Sequence, residues 1–292
     1  MKPARSVRLF LILVLTLSCQ VQSVSPARVQ TISFKSNLIG AILPYIVLLP
    51  PGYEERRSGT AASYPVLYLL HGLGGGYDNW TSKTRLKEYA AQYQMIIVTP
   101  EGQDGWYTDS ATVSSDKYET YILEELIPDV ERRFRAINQR QARAIAGLSM
   151  GGYGALKFGV KYPDKFVFAA SMSGALDPAV RSETNPGFLW GSLRPSILKV
   201  FGPDDSRVRA SNDLHKLFRE LPSDRISSLP YLYLDCGTED GFLSTNRDLA
   251  AILLERKIPH EYRQLPGQHG WVYWDQQVRE VLRIAAQRMA KS

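Results

Sequence analysis

The chain has 292 residues, of which 44% are hydrophobic, and it carries a formal net charge of +6. This length and hydrophobic content allow a large buried core, so the sequence predicts a globular protein of the size of one enzyme domain. The charge says little about partners, because three of the cations, Lys2, Arg5 and Arg8, precede an N-terminal apolar segment. No basic cluster with interleaved aromatic side chains is present in the sequence, so we expect no nucleic-acid partner.

The N-terminal residues have the charge and hydropathy pattern of a secretory signal. The apolar run 9–17 follows the three cations and is too short for a permanent transmembrane anchor. We therefore expect residues 1–27 to be a signal peptide and the mature protein to be secreted or periplasmic. Cys19 leaves lipid anchoring open, although Thr16 and Leu17 fit a lipoprotein signal poorly.

Strand and helix patterns alternate along the rest of the chain. The predicted strands span residues 29–34, 41–49, 66–70, 95–99, 142–146, 167–173, 231–236 and 261–265. The predicted helices span residues 118–134, 152–160, 249–253 and 278–289. We expect the first two strands to pair antiparallel and Pro128 to kink its helix. The alternation predicts an α/β protein with a mostly parallel central sheet and helices on both faces.

We expect residues 28–292 to form one enzyme domain. Prolines and glycines break residues 177–229 into short pieces, and an insertion at this place commonly folds over a site. We therefore expect this segment to be a cap or a pocket wall. Cys236 is the only internal cysteine that would remain after removal of the signal, which excludes an intramolecular disulfide. The pattern does not indicate an oligomeric state.

A serine lies in a glycine-flanked turn between a predicted strand and a predicted helix. The segment reads Gly147-Leu148-Ser149-Met150-Gly151. Strand, sharp turn and helix are the setting of a nucleophilic serine, because the strained turn lifts the hydroxyl into solvent and the tight flanks have no room for side chains. A pattern of three fixed positions also arises by chance, so the partners of Ser149 decide its role.

A serine hydroxyl needs an adjacent base, normally a histidine. His215 lies in an amphipathic helical stretch and His260 precedes a predicted strand, so we expect both to be surface or packing residues. His269 lies in a turn-rich loop between the last strand and the last helix, where an α/β-hydrolase carries its base. We therefore expect His269 to be the catalytic base.

The third member of such a triad is a carboxylate that orients the imidazole. Asp235, Glu239 and Asp240 all lie at or just after the predicted strand 231–236, and spacing alone allows each of them. Asp240 is preferred, because Asp235 lies at the strand end and Glu239 is expected to face solvent.

Acyl transfer also needs donors for the oxyanion. The backbone N–H of Met150, directly after the nucleophile, is one candidate. A glycine-rich loop, residues 71–76, follows the predicted strand 66–70 and would bring a second backbone donor close to substrate. The loop lacks the Lys-Ser/Thr ending and the glycine spacing of phosphate-binding loops, which argues against a nucleotide site.

Five groups of motifs together resemble one family. They are His71-Gly72-Leu73-Gly74-Gly75, Pro100-Glu101-Gly102 with Trp106-Tyr107-Thr108-Asp109-Ser110, Gly147 to Gly151, Asp240-Gly241-Phe242-Leu243 and His269-Gly270-Trp271. From Val29 to the C-terminal helix, the chain resembles the esterase D family, which includes S-formylglutathione hydrolases, feruloyl and acetyl-xylan esterases of carbohydrate esterase family 1, and antigen 85 mycolyltransferases. The resemblance implies an α/β-hydrolase fold, Asp240 as the acid, and Leu73 and Met150 as the oxyanion amides.

Aromatic side chains cluster on the segments expected around the site. We expect Trp106, Tyr107 and Trp271 to bind substrate, and Phe188 and Trp190 to extend an aromatic cleft for sugar or phenolic groups. Ordinary core packing is the alternative for each of them.

The sequence thus predicts a secreted serine carboxylic-ester hydrolase that uses no cofactor and no metal. Its expected partner is a small-molecule or carbohydrate ester, such as an acetyl or feruloyl ester of a polysaccharide. An acyltransferase of the mycolyltransferase type and a thioesterase like S-formylglutathione hydrolase remain alternatives. A non-catalytic binding protein is disfavoured, because every triad position is filled.

Overall fold

The computed structural model describes residues 27–53, 63–182, 184 and 190–289, without the side chain of residue 190. Residues 1–26 of the predicted signal segment, Phe188 and the Trp190 side chain lie outside the described part of the chain. Within the described residues, no helix is both long enough and apolar enough to cross a membrane.

The described residues contain one eight-stranded sheet with the strand order β1-β2-β4-β3-β5-β6-β7-β8. The strands are β1 (Arg28–Ile32), β2 (Tyr45–Leu49), β3 (Val66–Leu70), β4 (Ile96–Pro100), β5 (Arg143–Leu148), β6 (Phe168–Met172), β7 (Tyr231–Gly237) and β8 (His260–Leu265). β2 pairs antiparallel with β1 and with β4, and all the other pairs are parallel. This confirms the predicted fold class, including the antiparallel opening pair.

Helices cover both faces of the sheet. They are α1 (Asn79–Ser82), α2 (Leu86–Ala90), α3 (Tyr118–Tyr121), α4 (Ile127–Arg133), α5 (Met150–Lys161), α6 (Trp190–Phe201), α7 (Arg207–Asn212), α8 (Leu214–Arg219), α9 (Leu243–Glu255) and α10 (Trp271–Arg288). β3 is buried along its whole length because Tyr68 packs into the core on one face while Leu67 and Leu69 pack into the core on the other. A strand covered on both sides therefore shows a continuous apolar run instead of an alternating one.

The helical stretch around Pro128 is continuous, with a π-helical turn at Ile122–Leu126 between α3 and α4. Proline has no N–H to donate to the preceding turn, and its ring crowds the carbonyl of that turn. A wider π turn just before proline accommodates both effects. The structure thus contains a π turn just before Pro128, and the kink expected at this proline stays a prediction.

Residues 177–229 contain α6, α7 and α8, joined by short turns. α6 packs on the loop that follows β4: Trp106 Nε1 donates to Ser196 Oγ at 3.0 Å, and the Ala111 N–H donates to the carbonyl of Val200 at 2.8 Å. The segment is therefore attached to the same loop region that carries two of the expected substrate-binding residues.

The parallel strands end at one edge of the sheet. Leu70 of β3 pairs with Gly147 of β5, and Met172 of β6 pairs with Asp235 of β7. The loops after β3, β5, β7 and β8 hold the predicted oxyanion loop, nucleophile, acid and base. Ligands of open α/β sheets bind outside this carboxyl edge.

Candidate active site

Ser149 occupies the single residue between the end of β5 at Leu148 and the start of α5 at Met150. Its φ of 52° and ψ of −117° are strained for a residue with a side chain. Three hydrogen bonds hold this backbone in place: the Ser149 N–H donates to Met172 O at 3.0 Å, and Ser149 O accepts from the N–H groups of Tyr153 and Ala175, both at 3.1 Å. The surrounding structure therefore fixes the strained serine.

The glycines that flank Ser149 allow close packing of backbone on backbone. A side chain at Gly147 would overlap the carbonyl of Gly151, and a Cβ at Gly151 would lie 2.6 Å from the carbonyl oxygen of His71. The end of β5, the start of α5 and the loop after β3 can therefore lie this close together only because both positions are glycine.

Ser149, His269 and Asp240 form one chain of hydrogen bonds. His269 Nε2 lies 3.0 Å from Ser149 Oγ, and His269 Nδ1 lies 2.8 Å from Asp240 Oδ2. The Asp240 side chain has no exposed area, whereas the His269 side chain is 24% exposed. The arrangement gives the serine a base on one side and gives that base a buried carboxylate on the other.

Asp240 is held in its ionised form. Burial raises the pKa of Asp240, but the hydrogen bond and charge of His269 outweigh burial and hold the pKa below its ordinary value of 3.8. The Phe242 N–H also donates to Asp240 Oδ1 at 2.8 Å and favours the charged carboxylate. An ionised carboxylate at Nδ1 stabilises a protonated imidazole.

The other two candidate acids do not reach His269. Glu239 accepts a hydrogen bond from Gln268 Nε2 at 3.2 Å on the exposed side of the loop. Asp235 is buried and accepts from the hydroxyl of Tyr273 at 2.9 Å. Of the three, the structure brings Asp240 to the imidazole.

Two aromatic rings hold the imidazole of His269. The Phe242 ring lies 5.0 Å from it, centroid to centroid, and the Trp274 ring meets it edge-on at 4.9 Å. These contacts limit rotation of the imidazole away from its two hydrogen-bond partners.

The backbone N–H groups of Leu73 and Met150 make no hydrogen bond to any other described residue. A Cβ at Gly72 would lie 3.3 Å from Ser149 Cβ, so the loop passes beside Ser149. The Gly72 carbonyl is turned inward, where it accepts from His71 Nδ1 at 2.8 Å and from the Gly75 N–H at 3.1 Å. In a trans peptide the C=O and N–H point in opposite directions, so the Leu73 N–H points away from His71.

His71 lies beside the candidate site, and the sequence pattern named it without indicating a role. Its Nε2 accepts a hydrogen bond from the Gly102 N–H at 2.9 Å, so Nδ1 carries the proton and donates to Gly72. The buried imidazole thus joins the oxyanion loop to the loop after β4. A histidine at the start of a glycine-rich loop, with few histidines elsewhere, was the signal in the sequence.

Trp106 and Tyr107 require a correction. They are only 1% and 0% exposed, so their burial argues against the expected contact with substrate. The Tyr107 hydroxyl instead donates to the His71 carbonyl at 3.1 Å, and the Tyr107 carbonyl accepts from Lys157 Nζ at 2.7 Å. Both aromatic residues have a φ of 49°, which is uncommon for residues other than glycine. Tyr107 thus contacts the backbone of the loop after β3, and Trp106 contacts α6.

Among the expected aromatic side chains that the structure describes, Trp271 is the one with exposed surface beside His269. It is partly exposed, and its ring meets Trp80 at 5.7 Å and Trp274 at 5.1 Å, both edge-on. Lys83 Nζ lies 5.2 Å from the centre of its indole. Trp271 therefore lies two residues from His269 in the chain and packs within a group of aromatic rings.

Comparison with known proteins identifies the family of the chain. Residues 36–284 match the family model described as "Putative esterase". The chain is 28% identical over 258 residues to an acetyl esterase of Caldicellulosiruptor saccharolyticus, which covers 86% of this chain and 95% of that protein.

Two solved structures are similar over almost their whole length. A ferulic acid esterase is 28% identical with a TM-score of 0.74, covering 90% of this chain and 99% of the other. The fluorophosphonate-binding serine hydrolase F of Staphylococcus aureus is 25% identical with a TM-score of 0.78 and the same coverage. The chain belongs to this esterase family, and it is a serine esterase with the α/β-hydrolase fold.

Proposed function

We propose that the protein hydrolyses carboxylic esters through an acyl-enzyme on Ser149. The observation that carries the proposal is the chain of hydrogen bonds from Ser149 Oγ through His269 to Asp240, at 3.0 and 2.8 Å. These distances allow direct proton transfer between hydroxyl and imidazole.

The reaction follows from the positions of these groups. Ser149 Oγ attacks the ester carbonyl while His269 Nε2 takes the hydroxyl proton, and Asp240 stabilises the imidazolium. The carbonyl oxygen becomes an oxyanion that the Leu73 and Met150 N–H groups would bind. His269 then gives its proton to the departing alcohol. The same imidazole then takes a proton from a water molecule whose oxygen attacks the acyl carbon, and it returns this proton to Ser149 Oγ as the acyl–Ser149 bond breaks and the acid is released.

We propose extracellular acetyl or feruloyl esters, such as those on polysaccharides, as substrates. The acetyl esterase and the ferulic acid esterase described above act as precedents for the acyl group. The N-terminal pattern of cations before an apolar run supports export, and residues 1–27 would then be absent from the mature protein. Trp271 would contact the sugar or phenolic part of such an ester.

Residues 177–229 would form one wall of the substrate pocket. The support is the attachment of α6 to the loop after β4, through Trp106 with Ser196 and through Ala111 with Val200. A wall built from short helices would leave the acyl-enzyme open to water, which favours hydrolysis over transfer.

The experiment measures the rate at which the purified mature chain hydrolyses a panel of p-nitrophenyl esters, methyl ferulate and acetylated xylan. Ser149→Ala and His269→Ala should abolish turnover, and a fluorophosphonate probe should label the wild type at Ser149. His260→Ala is the matched control, because His260 lies at the opposite end of β8 from the site. Near wild-type rates in Ser149→Ala would overturn the mechanism.

Product partition separates hydrolysis from transfer. The enzyme would be incubated with an activated acyl ester and a sugar alcohol, and free acid would be measured against transferred ester. We expect free acid to dominate. Transfer that exceeds hydrolysis at millimolar acceptor would favour an acyltransferase.

A further inference from the structure

Asp235, near the end of β7, is a buried carboxyl group that the mechanism above does not use. Its side chain has no exposed area, and Oδ1 accepts the hydroxyl proton of Tyr273 at 2.9 Å. Among the described residues, Oδ2 has no hydrogen-bond partner. Burial of a carboxyl group with a single hydrogen-bond donor lowers the stability of the folded protein. Packing alone therefore does not explain why a carboxyl group lies here.

Tyr273 connects this carboxyl to the loop that carries His269. It is the third residue of α10 and is 4% exposed. A Cβ at Gly267 would lie 2.5 Å from Tyr273 Cδ2, so the ring lies directly on the loop backbone where φ is 147°. The Tyr273 N–H donates to the Gly270 carbonyl at 3.1 Å. Tyr273 therefore contacts the chain on both sides of His269.

The same loop rests on the segment that follows β7. The Glu239 N–H donates to the Gly267 carbonyl at 3.0 Å, and the Thr238 N–H donates to the Leu265 carbonyl at 2.8 Å. Residues 266–270 are thus held from one side by backbone hydrogen bonds and from the other by Tyr273. Asp235 is the group that fixes the far end of Tyr273 to the sheet.

Titratable side chains that affect Asp235 lie on β7, on β8, on α10 and in the loop after β7. Burial raises the pKa of Asp235 from 3.8 to about 7, against the lowering effects of Tyr273, Tyr233 and Arg263. Asp240, across the loop, raises it further. The carboxyl is therefore partly ionised near neutral pH, and an ionised carboxylate accepts the tyrosine hydroxyl more strongly than a neutral one.

We infer that Asp235 is a positioning residue for His269. Its carboxylate holds the hydroxyl of Tyr273, and Tyr273 holds residues 266–270 where the imidazole reaches its two partners. Asp235 itself touches none of the reacting atoms. The inference rests on the proposed function, since it assigns a supporting role within the same site.

Three variants test the contact. Asp235→Leu removes the acceptor at similar volume, Tyr273→Phe removes the donor, and Asp235→Asn keeps an acceptor at Oδ1. We expect the Leu and Phe variants to lower kcat for p-nitrophenyl acetate about tenfold with KM changed less than about twofold, because a misplaced base slows the chemical step. Asp235→Asn should keep most of the wild-type kcat.

The double variant Asp235→Leu/Tyr273→Phe should be no slower than the slower single variant, because both changes break one contact. Tyr231→Phe is the matched control. Its hydroxyl also donates to a carboxylate, Glu261 at 3.1 Å, but at the opposite end of β7. Effects that multiply in the double variant, or a Tyr231→Phe loss as large as that of Tyr273→Phe, would overturn the inference.

Histidine NMR gives a reading that does not need turnover. The chain has four histidines, and Tyr273→Phe should shift or broaden the ring signals of His269 while leaving those of His215 and His260 in place. Ser149→Ala in the same ester assay tests the proposed function separately. The inference fails if the Tyr273→Phe variant is folded and shows both wild-type kcat and unchanged His269 signals. If Asp235→Leu does not fold, the result for Tyr273→Phe decides the inference.

Discussion

The imidazole of His71 and the carbonyl of Gly72 share a hydrogen bond of 2.8 Å that fixes the direction of the peptide leading into Leu73. The other ring nitrogen accepts from the Gly102 N–H at 2.9 Å, so the ring cannot turn without losing both contacts. This buried, hydrogen-bonded imidazole thus holds one proposed oxyanion donor in place before substrate arrives. Preorganised donors of this kind are effective because they need no rearrangement during the reaction.

His71→Leu should therefore lower kcat while the fold persists. The change keeps the approximate volume and removes both hydrogen bonds, so the Leu73 peptide is free to turn. We expect kcat for p-nitrophenyl acetate to fall about a hundredfold, the usual effect of losing one oxyanion donor. His260→Leu is the matched control, because His260 Nδ1 contacts the Ile258 carbonyl at the same 2.8 Å but far from the nucleophile. Equal losses in the two variants would remove the role assigned to His71.

Asp240→Asn should lower kcat by about three to four orders of magnitude, since the amide favours the imidazole tautomer that cannot act as base toward Ser149. Glu239→Gln should change kcat less than about twofold, because Glu239 contacts Gln268 on the exposed side of the loop. The measurement is kcat for both variants at one pH, with circular dichroism to confirm folding. The reverse ranking would move the acid to Glu239.

Sequence patterns predicted the sheet and the order of the site loops well. The elbow at Ser149 and the loop at His269 are visible because sharp turns need glycine and because the chain has few histidines. Asp240 was separable from its neighbours only by strand position and resemblance, and the contact of 2.8 Å with His269 supplies what spacing could not.

The burial of Trp106 and Tyr107 could not be predicted from the sequence. An aromatic pair in a loop gives no period, so nothing in the sequence tells which way the side chains turn. Both side chains are buried, and the buried Lys157 that donates to the Tyr107 carbonyl lies fifty positions away in the chain. Such long-range polar contacts are decided by tertiary packing and leave no local signal.

Trp271→Ala and Tyr107→Phe should therefore affect catalysis in different ways. Removing the partly exposed indole should raise KM for methyl ferulate more than for p-nitrophenyl acetate, by about tenfold, because an aromatic contact with the phenolic ring is lost. Tyr107→Phe keeps the buried ring and removes only its bond to the His71 carbonyl, so it should lower kcat and leave the KM ratio of the two esters unchanged. A changed KM ratio in Tyr107→Phe would restore Tyr107 as a substrate contact.

The stability of the enzyme should depend on pH through Asp235. Burial raises the pKa of this carboxyl in the folded protein to about 7, above its value of 3.8 in an exposed chain. Between these two values the folded state binds the extra proton, so this group's contribution to the free energy of unfolding falls as pH rises and levels off above about pH 7. The loss amounts to a few kcal/mol, on the order of 1.4 kcal/mol for each pKa unit.

Asp235→Asn cannot ionise, and the difference in unfolding free energy between variant and wild type should grow from about pH 4.5 to about pH 7 and then stay constant. Urea denaturation across this range measures it, and a difference that does not change with pH would contradict a raised pKa at Asp235.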